Sequence, residues 1–299
     1  MNNTKKLWIL VLILTLATTS QVRTNATSQT VVKVEPYQNV AGIGQQFNVS
    51  ITIADVQNLF AVETQLYWNN SILHLGNAEP LLGVESHPEG VLYNDSQPIF
   101  VNETIGSGEY LLNATSIGTS TPSFNGSGTI TKLTFNVVDI GSCELVLQTL
   151  LYNKATSSEP ASQIPHSKNN GYYSPIYITA LPLEVNLGER VKVLGYIEAL
   201  QESVNVTIQY LFENETSWVT LENVTASSQG DYESEWIPPR EGTHQIKAVT
   251  TIQEARTESA IASISVKPLI GGPWFLYLLA CVLFIMIAIA IFIIYRKRR

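Results

Sequence analysis

Cysteine is nearly absent, with two residues in 299, Cys143 and Cys281. Cys281 lies inside a long apolar run near the C-terminus, so the rest of the chain holds one thiol and cannot form an internal disulfide. Secreted eukaryotic β-domains usually carry such a bridge, so its absence points away from a eukaryotic host. Basic residues are also scarce. Between Thr24 and Gly272, 10 Lys and Arg stand against 25 Asp and Glu, a net charge of −15. A surface of that sign repels nucleic acid and anionic lipid, which excludes both as partners. The four histidines, His74, His87, His166 and His244, are scattered with no metal-ligand spacing. There is no nucleophile elbow, phosphate-binding loop or dinucleotide fingerprint, and no enzyme is expected. Asn94-Asp95 and Asn102-Glu103 offer oxygen donors for calcium, but without EF-hand spacing. Such residues serve more often as turn formers, so no cofactor is expected.

Long hydrophobic runs are missing from the middle of the chain and present at both ends. Leu7–Ala17 follows Lys5 and Lys6. Its helical rise of about 17 Å falls short of a bilayer core of about 30 Å. With the small polar residues after it, residues 1–24 read as a signal peptide. Trp274–Ile294 carries no charge and would rise about 31 Å as a helix. Trp274, Tyr277 and Tyr295 lie at its edges, and Arg296-Lys297-Arg298-Arg299 follows directly. Aromatic edges and a basic end mark a transmembrane helix, residues 273–295, with a cytoplasmic tail at 296–299. The expected topology is single-pass, with the N-terminus outside.

What fills the region between is polar and rich in acceptor sequons. Asn25, Asn48, Asn69, Asn94, Asn102, Asn113, Asn125, Asn205, Asn214 and Asn223 each begin Asn-x-Ser/Thr, ten of the nineteen asparagines there. Chance would supply roughly four at this Ser/Thr content, so these ten are glycosylation candidates. Dense sequons without disulfides point to an archaeal cell surface.

Short alternating runs bounded by Gly, Pro, Asn and Ser recur, with almost no helical period, which predicts an all-β ectodomain. Phe47–Ile53, Leu133–Val137 and Val204–Tyr210 each alternate apolar with polar, one face in and one out. A polar stretch, Tyr152–Ser174, reads either as a linker or as a long loop and final strand of the first domain. The domain boundary is set at 178, giving β-sandwiches over 28–178 and 179–267.

Particular residues in the first of these resemble the cohesin module. They include Gly44-Gln45-Gln46 leading into Val49, Ile51 and Ile53, then Leu66-Tyr67-Trp68-Asn69 with Ser71-Ile72-Leu73. Later come Gly126-Ser127-Gly128 running to Val137, and Gly141-Ser142-Cys143-Glu144-Leu145. Trp68-Asn69 departs from the family's Asp-Pro at that point. The resemblance implies a jelly-roll sandwich that docks a dockerin-like protein on one flat sheet face. The second block resembles prokaryotic immunoglobulin-like surface modules, through Gly188–Gly195 as an opening strand and Gly230–Trp236 with Gly242–Ala248 as a closing pair. That resemblance implies a spacer.

Sugar binding would instead need exposed coplanar aromatics. Tyr67, Trp68, Tyr172 and Tyr173 are the ligand-binding candidates, although adjacent residues in a strand point to opposite faces. Trp218 and Trp236 are expected in the second interior. The expected function is a membrane-anchored docking module for a secreted or surface protein in trans. The alternatives are a carbohydrate-binding module retaining polysaccharide, or a structural or adhesion envelope protein.

Overall fold

The computed structural model describes residues 29–94, 97–198, 203–268, 280–289 and 296. The first sandwich contains β1 (Val31–Glu35), β2 (Gln38–Asn39), β3 (Gln46–Tyr67), β4 (Leu73–Pro80), β5 (Phe100–Gly106), β6 (Glu109–Thr115), β7 (Phe124–Val137), β8 (Cys143–Asn153), β9 (Ser167–Asn169) and β10 (Gly171–Tyr173).

β3 is 22 residues long and serves both layers. Its first half pairs with β1 and β7, as in Val34↔Ile51 and Val49↔Leu133. Its second half pairs with β6 and β8, where Leu66 faces both Tyr110 and Leu147. Between the halves the register shifts, and Asp55 and Asn58 take φ of 56° and 59°. Asp and Asn accept the left-handed region because their short polar side chains bond locally, and such a bulge re-aims a strand. One layer therefore runs β9-β1-β3-β7-β4 and the other β2-β10-β8-β3-β6-β5.

The alternation in the sequence becomes inside and outside. Val49, Ile51 and Ile53 are buried while Asn48, Ser50 and Thr52 face outward. Leu133, Phe135 and Val137 come from β7, and Leu145, Leu147 and Leu151 from β8. Aromatic rings join the layers. Phe47 stacks on Tyr173 at 5.2 Å and on Phe135 at 5.5 Å, and Trp68 meets Phe135 edge-on at 5.0 Å.

The polar stretch after β8 ends in β9, parallel to β1, and β10, antiparallel to β8. It is thus a loop and closing strands of the first sandwich. Only Ser174 and Pro175, both buried, separate β10 from the second sandwich. That unit contains β11 (Ile176–Leu181), β12 (Glu184–Asn186), β13 (Val191–Ile197), β14 (Asn205–Phe212), β15 (Val219–Thr225), β16 (Asp231–Trp236), β17 (Gly242–Ile252), β18 (Ala255–Glu258) and β19 (Ala262–Lys267). One sheet runs β11-β13-β16; the other runs β12-β19-β17-β14-β15, with β18 on β17. Ile176 and Ile178 pair with Ile197 and Gly195 and lie in the second core. The division therefore falls at 174–175, ahead of residue 178. The strand after Gly188 is likewise preceded by β11 and β12, and β18 and β19 follow the pair 230–248.

The joint is cross-bonded. Ser174 N donates to Asn39 O at 3.0 Å and Glu198 N to Pro175 O at 2.8 Å. Gln45 Nε2 donates to Glu198 Oε1 at 3.2 Å, and Tyr172 Oη to Glu258 O at 3.4 Å. The Glu258 carboxylate is itself bonded by Lys247 at 2.6 Å and Arg256 at 2.8 Å. Burial pushes this carboxyl up, but the bonds and charges of Lys247 and Arg256 outweigh it and hold it below the ordinary range. A depressed carboxyl stabilises the fold above its unfolded value of about 4.3 and loses that contribution as pH falls. For a partly exposed pair the gain is at most about 1 kcal/mol. Glu258→Gln should lower the second sandwich's Tm at pH 7 by at most about 4–8 °C, with the deficit shrinking as the pH is lowered to 3. An equal deficit at both pH values, measured by calorimetry, would contradict this assignment.

Residues 280–289 form a helix with exposed side chains. Among the described residues no helix is long and apolar enough to cross a membrane. The signal segment 1–24 and most of the spans 273–295 and 296–299 lie outside the described residues.

Candidate functional site

The two outer faces of the first sandwich differ in chemistry. On the β9-β1-β3-β7-β4 layer the outward residues are mostly polar, among them Lys33, Glu35, Ser50, Thr52, Lys132 and Thr134, with Val31 and Ala54 as a paired exception. On the other layer β8, β3, β6 and β5 form a continuous surface in which apolar and polar residues are mixed. The registers order it in rows. Glu109, Tyr67 and Val146 share one, and Leu111, Gln65 and Gln148 share the next. Asn102, Asn113, Glu63 and Leu150 share a third, and Phe100, Thr115, Ala61 and Tyr152 a fourth.

The middle of this face is bonded along β3. Tyr67 Oη donates to Gln65 Oε1 at 2.7 Å, and Gln65 Nε2 donates to Glu63 Oε1 at 3.2 Å. At the rim, β5 is bonded only to β6 among the described residues, and all seven of its residues are exposed. Phe100, Val101 and Ile105 stand out there, Phe100 at 56% exposure. Exposed apolar side chains next to an open strand edge are the features that bury against another chain.

Of the four aromatic candidates, Tyr67 alone lies on this face. Trp68 is buried, donates Nε1–H to Leu73 O at 2.8 Å and packs on Phe135. Tyr173 is buried against Phe47 and donates to Ala41 O at 3.0 Å; burial pushes its phenol far up. Tyr172 sits at the domain joint, its phenol also pushed up by burial. The alternation that sends Tyr67 and Tyr172 outward turns Trp68 and Tyr173 inward. Tyr67, Tyr152 and Phe100 stand at separate corners of the face, with no two in neighbouring positions. In the second sandwich Trp236 is in the core. Trp218 is not; it lies half-buried beside β15, with Lys247 Nζ 4.5 Å above its ring.

The nine described sequon asparagines are all solvent-reached, seven exposed and Asn94 and Asn113 half-buried; Asn25 lies outside the described residues. In several the carboxamide oxygen is the bonded end. Asn48 Oδ1 accepts from Thr134 at 2.7 Å, Asn69 Oδ1 from Ser71 N at 3.0 Å and Asn125 Oδ1 from Asn58 N at 2.8 Å. Asn205 and Asn223 are reciprocal, each accepting from the other sequon's threonine, Thr225 at 3.2 Å and Thr207 at 2.8 Å. Asn214 is exposed with φ of 68°. Asn102 and Asn113 face each other across β5 and β6.

Asp95 lies outside the described residues, and Asn102-Glu103 sits within β5 instead of a loop. Among the described residues no group of three His, Cys, Asp or Glu could hold a metal. Cys143 is half-buried and burial pushes its thiol up, which disfavours the nucleophilic thiolate. His244 is fully buried among Phe212, Trp236 and Tyr210, its Nε2 bonded to Arg240 O at 2.8 Å.

No family model and no curated protein matches the chain. Solved structures it is similar to include cohesin domains. A non-cellulosomal cohesin from the hyperthermophilic archaeon Archaeoglobus fulgidus is 14% identical, covering 49% of this chain and 90% of that one at a TM-score of 0.35. CaCohA2 from Clostridium acetobutylicum is 15% identical, covering 49% and 90% at a TM-score of 0.38. The type II cohesin dyad from the adaptor ScaA scaffoldin of Acetivibrio cellulolyticus is 9% identical, covering 83% and 100% at a TM-score of 0.38.

Proposed function

We propose that this protein docks another secreted or surface protein at the cell envelope, using the outer face of β8, β3, β6 and β5. The observation that carries the reading is the contrast between the two faces of one sandwich. One is predominantly polar; the other carries Leu111, Val146, Leu150 and Tyr67 around the Glu63-Gln65-Gln148 centre, with Phe100 exposed on the open β5 edge. Apolar side chains interleaved with hydrogen-bonding groups make a surface that a protein partner can bury. The sequence resemblance to the cohesin module supports a dockerin-like partner. Polysaccharide retention is less well supported, because the aromatics on this face are dispersed.

The second sandwich acts as a spacer in this reading. Its first strand is split between two sheets, as β11 and β12, and three strands pack against six, which supports the immunoglobulin-like arrangement expected from sequence. The buried two-residue joint would make that spacer stiff. The uncharged run Trp274–Ile294 and the four basic residues after it support a single-pass anchor with the ectodomain outside.

Immobilised full-length chain should capture one defined protein from the secreted fraction of a related host. Leu150→Arg should weaken that capture by about 30-fold or more, the loss of a central interface contact. Recovery of polysaccharide alone would replace docking by carbohydrate retention, and empty beads would leave an envelope-building role.

A further inference from the structure

The docking face carries two modification sequons where a partner would sit. Asn102-Glu103-Thr104 lies on β5 and Asn113-Ala114-Thr115 on β6, and Asn102 and Asn113 are direct cross-strand partners. Because side chains alternate along a strand, each asparagine shares its face with its own threonine. Asn113 continues the row through Glu63 to Leu150, across the centre of the surface. Side chains paired in this way stand about 4.5–5.5 Å apart, so the two amides form one acceptor patch. By contrast Asn48 lies on the polar layer, and Asn69 and Asn125 lie where β3 ends and β7 begins.

We propose that N-glycosylation of Asn102 or Asn113 closes the docking face, so that the unmodified form is the one that binds. The inference rests on the docking reading above. In the modification a bond forms between the asparagine Nδ2 and the anomeric carbon of a lipid-phosphate-linked oligosaccharide. The anomeric C–O bond breaks, the lipid phosphate leaves with the electron pair, and the amide proton passes to a base. No redox partner is involved. One glycan suffices, since a sugar on either amide overlies Leu111 and reaches the row of Leu150. Glu63 and Gln65 stay hydrogen-bonded beneath it, so closure needs no change in the fold.

The test uses the full-length chain, purified in detergent from a host that N-glycosylates, with the host's secreted fraction as probe. Glycopeptide mass spectrometry should find sugar on Asn102 or Asn113. The Asn102→Gln/Asn113→Gln variant should then capture at least about tenfold more of one defined protein, while Asn48→Gln changes nothing. Thr104→Val/Thr115→Val removes both acceptor signals but keeps both amides, and should reproduce the gain if a glutamine disturbs the strands. Equal capture by modified and unmodified chains would overturn the gate and leave the docking face standing. Bare Asn102 and Asn113 in the chain from such a host would also overturn it. Capture by neither form would overturn the docking reading itself, and the gate with it.

Discussion

Phe135→Ala should lower the stability of the first sandwich by about 3–5 kcal/mol. The Phe135 ring is fully buried and touches two of the aromatics that join the layers, Phe47 at 5.5 Å and Trp68 at 5.0 Å. Phe47 in turn stacks on Tyr173, which belongs to the opposite layer. Truncation removes the ring's own transfer free energy and leaves a cavity that three rigid rings cannot collapse into. For a unit of about 145 residues each kcal/mol shifts Tm by about 2–4 °C, so a fall of about 6–20 °C is expected. Calorimetry should show it in the first sandwich's transition. A loss under about 1 kcal/mol would mean the stack is not what couples the layers.

The second sandwich has its own critical point at Gly195. Gly195 faces Tyr232 across β13 and β16, both pointing inward. The tyrosine ring lies over the glycine and its hydroxyl donates to Tyr177 O on β11 at 2.7 Å. A Cβ at residue 195 would overlap both the Tyr232 ring and the Tyr177 carbonyl. Tyr232 is only 5% exposed, so its ring cannot swing away. Gly195→Ala should therefore cost about 3 kcal/mol or more, combining overpacking with loss of a buried hydrogen bond. Tyr232→Phe, which loses the hydrogen bond alone, should cost about 1 kcal/mol. Equal effects of the two in chemical denaturation would show that the ring has room to move.

These strands differ in how openly the sequence announces them. The alternation in Phe47–Ile53 and Leu133–Val137 reads directly, because one side of each strand meets water. The passage of β3 from one layer to the other did not read, since it depends on left-handed Asp55 and Asn58 inside an otherwise extended run. The stretch 152–174 reads from sequence as either a linker or the end of the first sandwich, and the pairing of β9 and β10 with β1 and β8, which a loop-like composition does not announce, decides for the second.

The mixed outer face of β8, β3, β6 and β5 is hidden for a different reason. Attention to aromatics singled out Tyr67, Trp68, Tyr172 and Tyr173, and three of these lie in the core or the joint. The usable signal was double parity. In β8, Leu145-Val146-Leu147 and Leu150-Leu151 are apolar at successive positions, as are Tyr110-Leu111-Leu112 in β6. Strands whose outer face is chiefly wet, such as β1 from Val32 onward and the second half of β7, alternate strictly. Apolar residues at both parities mark a strand with something to bury on each side.

The most direct test of the central claim compares the two faces of the first sandwich against the captured protein by titration calorimetry. Leu150→Arg and Ser50→Arg place the same charge at outward positions of opposite layers, so general effects on charge and solubility cancel. Leu150→Arg should lose about 30-fold or more, while Ser50→Arg should keep its affinity unchanged. Loss with Ser50→Arg and retention with Leu150→Arg would place the partner on the polar layer and contradict it.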